Sequence, residues 1–210
     1  MASQLNARSM YQYKSLKEGH IRILWLQPGK LDDSIYADIS HEKLDESIAG
    51  YHALSWQWGD KKKNRIIHVK DRLGKDSDAT LKVWTVEVRA NLLDALKHLR
   101  KKDMIVRLWV DAICIRQDEE NNSEKSQQIS LMTQIYGMAD KVCVWLGNAA
   151  DDSDKAIQFV RKLSNLDDID HIARLERSTH AWDSASEMEP LIKLLKRGWF
   201  SRRWVVQVSP

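Results

Sequence analysis

The sequence predicts an α/β domain built on a parallel sheet with flanking helices, and two observations carry that reading. Leu108 to Gly147 runs as an apolar stretch, a polar turn, a helix-period segment and a second apolar stretch closed by glycine. This is the order of a strand, a crossover helix and a parallel strand. Before it, Ile21–Leu26 with Ile35–Ile39 reads as an N-terminal β-hairpin, Arg65–Val69 with Leu81–Val86 as an inserted hairpin, and Tyr51–Trp56 as a further strand beside the parallel block.

The elements follow in chain order. Ile21–Leu26 reads as a strand stopped by Gln27-Pro28-Gly29, and Ile35–Ile39 is placed to pair back on it. Tyr51–Trp56 is a short strand running into Gln57-Trp58-Gly59-Asp60. Arg65–Val69 and Leu81–Val86 alternate around a loop holding Asp71 and Gly74, the pattern of a hairpin. Asn91–Arg100 gathers Leu92, Leu93, Leu96 and Leu99 on one helical face, with Asn91 as N-cap and Lys97, Arg100 and Lys101 suited to the C-terminal dipole. Leu108–Ile115 is a strand carrying one acid, Asp111. A single helix over Glu124–Ala139 directs Ile129, Met132, Ile135, Tyr136 and Ala139 to the sheet, with Glu124, Lys125, Gln128 and Gln134 mostly elsewhere. Val142–Leu146 is the parallel partner strand. A helix beginning near Asp151 points Ile157, Val160 and Leu163 inward, with acids at its start and Arg161 and Lys162 near its end. Residues 165–187 form a polar excursion with a helical piece at Ile172–Arg177, and a last helix spans Pro190–Lys196 before Gly198.

Composition bounds the function classes. The chain has 210 residues, 43% hydrophobic and 30% charged, enough for one domain with a real core and too apolar for disorder. No apolar run approaches the roughly 20 residues of a membrane helix, and the N-terminus lacks the apolar core of a secretory signal. A net charge of +3 does not imply a nucleic-acid partner. Cys114 and Cys143 both fall inside predicted strands, where buried free thiols are expected, and the reducing cytosol is the expected compartment. Nine tryptophans against two phenylalanines indicate large core filling at Trp25, Trp84, Trp109, Trp145, Trp199 and Trp204, whereas Trp56 and Trp58 are expected to divide between core and cleft.

Three strand ends deliver polar groups: Ser55, Trp58, Gly59 and Asp60; Arg116, Gln117 and Asp118; and Gly147 with Asn148. If the strands are parallel neighbours, these groups converge on the edge where open α/β sheets hold ligands. Each group taken singly is ordinary turn chemistry. Asp111 is more specific, because a carboxylate between Val110 and Ala112 is costly to bury without partners. A structural acid accepting N–H groups, or pairing with Arg107 or Arg116, is favoured over a ligand-orienting acid or base. Other chemistry is poorly served. Ser55 is not in a nucleophile elbow, Cys114 is flanked by isoleucines, and the histidines and cysteines lack metal-ligand spacing, so no metal is expected. No phosphate-binding glycine motif is present, and Lys61-Lys62-Lys63-Asn64-Arg65 reads first as a solvated loop, with phosphate or RNA contact the minority reading.

YHALSWQWGD at 51–60, the 108–147 segment and RGWFSRRWVVQ at 197–207 together resemble the HET (heterokaryon incompatibility) domain of filamentous fungi. YQYKSLKEGHIRILWLQPG at 11–29 resembles the lead-in of that family. The resemblance divides the chain into lead-in strands over 1–50 and a HET domain over 51–210. It implies a cytoplasmic cell-death effector of fungal non-self recognition and innate immunity, with self-association and other incompatibility proteins as partners, no membrane and no nucleic acid. HET domains are also regarded as similar to TIR domains, which implies a flavodoxin/TIR-like sheet and, as chemistry, NAD hydrolysis, with NAD as substrate and no required cofactor. That reaction passes through an oxocarbenium-like state and uses an acid near the ribose and an aromatic surface. The family pattern Trp-x-x-Gln-Glu is met here by Trp204-Val205-Val206-Gln207 followed by Val208, so the expected glutamate is missing and the domain is expected to be truncated at its C-terminal end. Asp111, Asp118 and Glu124 are the substitute acids, and Ser55, Trp58, Gly59, Asp60, Arg116, Gln117 and Trp204 the ligand-contacting set. Two classes therefore stay open: an enzyme of NAD hydrolysis, and a catalytically silent self-associating or regulatory HET module. A nucleotide-binding sensor without turnover is the weaker third.

Overall fold

The computed structural model describes residues 10–60, 64–72, 83–117, 122–164 and 184–201. Ile172–Arg177, Asp118 and Trp204 lie outside them. The chain divides into two compact units, one built on residues up to Trp145 and one beginning at Leu146.

The first unit holds a seven-stranded mixed sheet in the order β5-β4-β2-β1-β6-β3-β7. Its strands are β1 (His20–Leu26), β2 (Tyr36–Lys43), β3 (His52–Trp56), β4 (Asn64–Asp71), β5 (Trp84–Arg89), β6 (Val106–Trp109) and β7 (Lys141–Trp145). β3 runs parallel to both β6 and β7, with Ala53 opposite Trp109 and Trp56 opposite Trp145. The predicted strand–helix–strand unit is therefore present, with β3 lying between its two strands. Parallel pairing recurs between β2 and β4, with Tyr36 opposite His68. Both hairpins join the same sheet antiparallel, β1 on β2 and β4 on β5, and β1 also pairs antiparallel with β6. The short connection Gln27–Ile35 forces the first of these pairings, since only a long crossover can return a chain parallel. β1 is the middle strand of the seven, and Ile21, Ile23, Leu24 and Leu26 are fully buried.

Two elements of the Leu108–Gly147 segment depart from the sequence reading. The apolar run after Leu108 is not one strand. β6 ends at Trp109, and Asp111–Cys114 forms a single helical turn, α2, closed by Cys114 N–H and Ile113 N–H to Val110 O. The predicted helix over 124–139 is two pieces, α3 (Asn122–Ser130) and α4 (Met132–Gly137), although Leu131 N–H to Gln127 O and Ile135 N–H to Leu131 O carry the helical bonding across the join. Its inward face also differs. Ile129 is 42% exposed, whereas Glu124 and Gln128 are buried. The cause is Arg22, a fully buried cation in mid-β1: its Nη1 and Nη2 donate to Glu124 Oε1 and Oε2 at 2.8 and 3.2 Å, while Gln128 donates to His20 O. A buried charge demands a partner more strongly than an isoleucine demands cover.

Helix α1 (Ala90–Leu99) buries Leu92, Ala95 and Leu96 and packs on β4 and β5. Asn91 is not its cap: Arg89 holds that position without a side-chain bond, and Asn91 is the second helical residue with other work to do. α4 is tied to β3 by two phenols, Tyr51 donating to Ile135 O at 2.5 Å and Tyr136 to Leu54 O at 3.1 Å.

In the second unit, α5 (Ser153–Ser164) and α6 (Ser184–Leu195) pack together. The buried face of α5 is turned by one residue from the expected one. Ala156 and Phe159 are inside, and Ile157 and Val160 are 36% and 42% exposed. α6 begins six residues before Pro190, which sits inside the helix. Arg197 Nη1 donates to Leu146 O and Asn148 O and its Nη2 to Ala150 O, closing the loop that carries Gly147.

Candidate functional site

The carboxyl ends of β3 and β6 meet around Asp111. The side chain of Trp56, the last residue of β3, turns inward and is 1% exposed, while Trp58, two residues on, is half-buried. Trp56 is the core member of the pair, and Trp58 lies at the partly exposed edge. Their rings stack at 5.8 Å with 11° between planes. Both indoles point at one carboxylate. Trp56 Nε1 donates to Asp111 Oδ1 at 2.7 Å and Trp58 Nε1 to Oδ2 at 3.0 Å, and Ala112 N–H adds a third bond to Oδ1 at 2.8 Å. Neither Arg107 nor Arg116 is needed to explain the acid; Arg107 pairs instead with Glu42. The local backbone makes the clamp possible. Because α2 begins at Asp111, the side chain leaves the strand plane at the sheet's edge instead of lying between strands.

The turn is held from both ends. Gln117 Nε2 donates to Asp111 O and Ile115 O, both at 3.0 Å. At the far end, Arg22 Nη1 donates to Cys114 O at 3.0 Å while also gripping Glu124. Burial alone would raise the Glu124 carboxyl. The bonds and charge of Arg22, a backbone N–H from Leu16 and the charge of Arg116 outweigh it, holding the group below its ordinary value. Glu124 is thus the counter-ion of Arg22, and its two oxygens are engaged there. Burial pushes the Cys114 thiol up to about 12, so this sulfur is a packed apolar group and no nucleophile.

A second bridge joins β3 to β7. Asn91 Nδ2 donates to Gln57 O at 2.5 Å, and its Oδ1 accepts the Trp145 indole N–H at 2.8 Å. His98 lies against the Trp145 ring at 4.9 Å. Arg89 places its guanidinium 4.6 Å over Trp58 and donates to Gly59 O at 3.1 Å. Gly59 has φ +67°, a backbone that favours glycine, and this turns the chain away from β3.

Of the expected contact set, the structure links Trp58, Gly59 and Gln117 to the Asp111 turn. Ser55 is half-buried within β3, Asp60 is exposed and Arg116 is half-buried. Sequence reasoning overlooked Trp56 as a carboxylate partner, Arg22 as the far anchor, and Asn91 and Arg89 as braces. Arg22 had left one signal, a cation flanked by isoleucines in a run otherwise apolar through Leu26.

The comparisons with known proteins address this same stretch. The heterokaryon incompatibility protein (HET) family matches residues 51–207. The chain belongs to the HET family. The match takes in β3, the Asp111 turn and β7, so the braced edge is made by the HET region itself, while Arg22 reaches it from outside the matched segment. Heterokaryon incompatibility protein 6, OR allele, of Neurospora crassa is 28% identical to this HET chain over 97% of its length. The chain spans about a third of that relative, 34%. No solved structure matches. Among the described residues no helix is long and apolar enough to cross a membrane, and no group of histidine, cysteine and acidic side chains is arranged to hold a metal ion.

Proposed function

We propose that this HET chain is a cell-death effector module of fungal heterokaryon incompatibility, acting in the cytoplasm and through self-association. The observation that carries the reading is the HET match over 51–207, together with the likeness to a Neurospora incompatibility protein. The second unit supports the association step. Met188, Ile192 and Leu195 recur at helical spacing along α6 and are 41%, 46% and 49% exposed. Glu189 and Lys193 lie within the span of this stripe and pair with each other at 2.8 Å, so what α6 offers a second copy is the apolar stripe itself. Expression in an incompatibility-competent filamentous fungus tests the role: growth arrest is expected from the intact chain, and unaffected growth at full protein level would refute it.

A finer reading concerns chemistry. The parallel block β6-β3-β7 is the part of the sheet that a flavodoxin/TIR-like relationship would use, and its carboxyl edge presents a fixed indole, as NAD hydrolysis would ask. The acids argue for the silent form. Asp111 is engaged by three N–H donors and Glu124 by Arg22, which leaves neither oriented as a ribose-facing acid. We therefore favour the module over the enzyme. Incubation with NAD, following nicotinamide release, decides between them: none above a heat-killed control is expected, and sustained release would restore the hydrolase.

A further inference from the structure

Four of the described arginines around the sheet, Arg22, Arg72, Arg100 and Arg107, are neutralised or saturated, and Arg89 differs from them. Arg22 faces Glu124, Arg107 faces Glu42 and Arg72 faces Asp38. Arg100 donates to the carbonyls of Lys30, Asp33 and Ser34. Among the described residues the partners of Arg89 are one carbonyl, Gly59 O at 3.1 Å, and the face of Trp58 at 4.6 Å. A guanidinium has five N–H donors in a fixed fork, so a single carbonyl leaves most of that fork unused.

The group is nevertheless held still. Trp58 is fixed by its bond to Asp111 and by stacking on Trp56, and the guanidinium rests on that ring. Gly59 anchors one end of the fork and has no side chain; among the described residues a Cβ there would meet Asn91 Cβ at 3.5 Å. Asn91 is held in place beside it, one amide N–H donating to Gln57 O and its oxygen accepting from Trp145. A half-buried, pre-oriented cation beside an open glycine, at the carboxyl end of a parallel strand, is suited to a bidentate oxyanion.

We propose that Arg89 anchors an oxyanion subsite at the end of β3, and that its ligand is the phosphoryl group of a small phosphorylated molecule. Phosphoryl and carboxylate groups share the geometry the fork recognises; the doubly charged phosphoryl gains more from an arginine that faces no carboxylate. Trp58 acts as a positioning residue that keeps the guanidinium flat. The inference rests on reading this edge as a ligand site and is independent of NAD hydrolysis.

The test uses the full chain, labelled with nitrogen-15, titrated with inorganic pyrophosphate, inorganic phosphate and citrate against sodium chloride at matched ionic strength. Saturable movement of the Trp58 indole and Arg89 Nε–H resonances with pyrophosphate is expected. Affinity should fall about tenfold or more in Arg89→Lys, which keeps the charge but loses the fork. No saturable movement in the wild-type protein would overturn the proposal whatever the variants do. Wild-type affinity retained in Arg89→Lys and Arg89→Gln would overturn the role of Arg89, and movement with citrate alone would overturn the phosphoryl assignment. A chain that binds pyrophosphate through Arg89 yet releases no nicotinamide from NAD contradicts only the hydrolase reading.

Discussion

Replacing Asp111 tests what its carboxylate does. In Asp111→Ala, three donors lose their acceptor together: Trp56 Nε1, Trp58 Nε1 and Ala112 N–H. Trp58 is half-buried and can turn to water, so its loss is small. Trp56 is 1% exposed, and its indole N–H is left without a partner in the core. An orphaned buried donor costs about 1–3 kcal/mol, and losing the bonds to a charged acceptor adds to it, so about 3 kcal/mol of destabilisation is expected. In a domain of this size that corresponds to a fall in melting temperature of about 6–12 °C. Asp111→Asn should cost less, about 1–2 kcal/mol, because one oxygen can still serve Trp56 while the new amide opposes the Trp58 N–H. Urea unfolding followed by near-ultraviolet circular dichroism reads both the stability and the stacked indole pair. Asp111→Ala within 0.5 kcal/mol of wild type, a threshold of about the size seen for neutral surface changes, would refute the clamp.

The remaining predictions concern other parts of the molecule. Glu124→Ala should cost about 3–5 kcal/mol because it strands Arg22 in the core, while the double change Arg22→Met with Glu124→Leu should cost less than the single one; equal losses in denaturant would contradict the buried pair. Because the folded-state carboxyl of Glu124 is lowered, its contribution is complete above the range in which glutamates of the unfolded chain titrate, about 4.3, and fades as pH falls through the folded value, so Glu124→Gln should flatten the acid limb of a stability–pH curve. With a thiol reagent at pH 8, half-buried Cys143 should react first and fully buried Cys114 only on unfolding; simultaneous labelling would show that α2 opens in the native state. Ile192→Asp, on an exposed face, should leave stability within about 0.5 kcal/mol and abolish concentration-dependent light scattering; undiminished scattering would remove α6 from the association surface.

The parallel block was legible because each of its strands is short, apolar and ended by turn residues, and because its crossover segments are long enough to be helices. The mixed character of the sheet was harder to see. Nothing in Ile21–Leu26 says that its second edge takes β6 antiparallel, because pairing partners are chosen by tertiary fit. Val110–Ile115 reads as strand by hydrophobicity, yet a buried helical turn has the same composition, and periodicity cannot separate them over so few residues. The phase error in α5 has a similar origin: Ile157 and Val160 are better apolar candidates than Ala156, but Phe159 sets the inward face and carries Ala156 with it. In α3 the rule that polar residues lie outside fails because Arg22, more than 100 positions away, needs Glu124. For the site, Asp111, Trp58, Gly59 and Gln117 could be singled out from the sequence as candidates, but not their geometry. The structural reading of Asp111 stands, with indoles in place of the arginines that seemed the natural partners.

One carboxylate, held by two indole N–H groups, organises the carboxyl edge of the HET sheet. Hydrogen exchange at the tryptophan side chains measures this directly. In the wild-type chain the Trp56 Nε1 proton should exchange only through unfolding and the Trp58 proton should be measurably slowed, with both protections falling in Asp111→Ala. Fast exchange of the Trp56 proton in the native wild-type protein, or protection unchanged by Asp111→Ala, would contradict the claim.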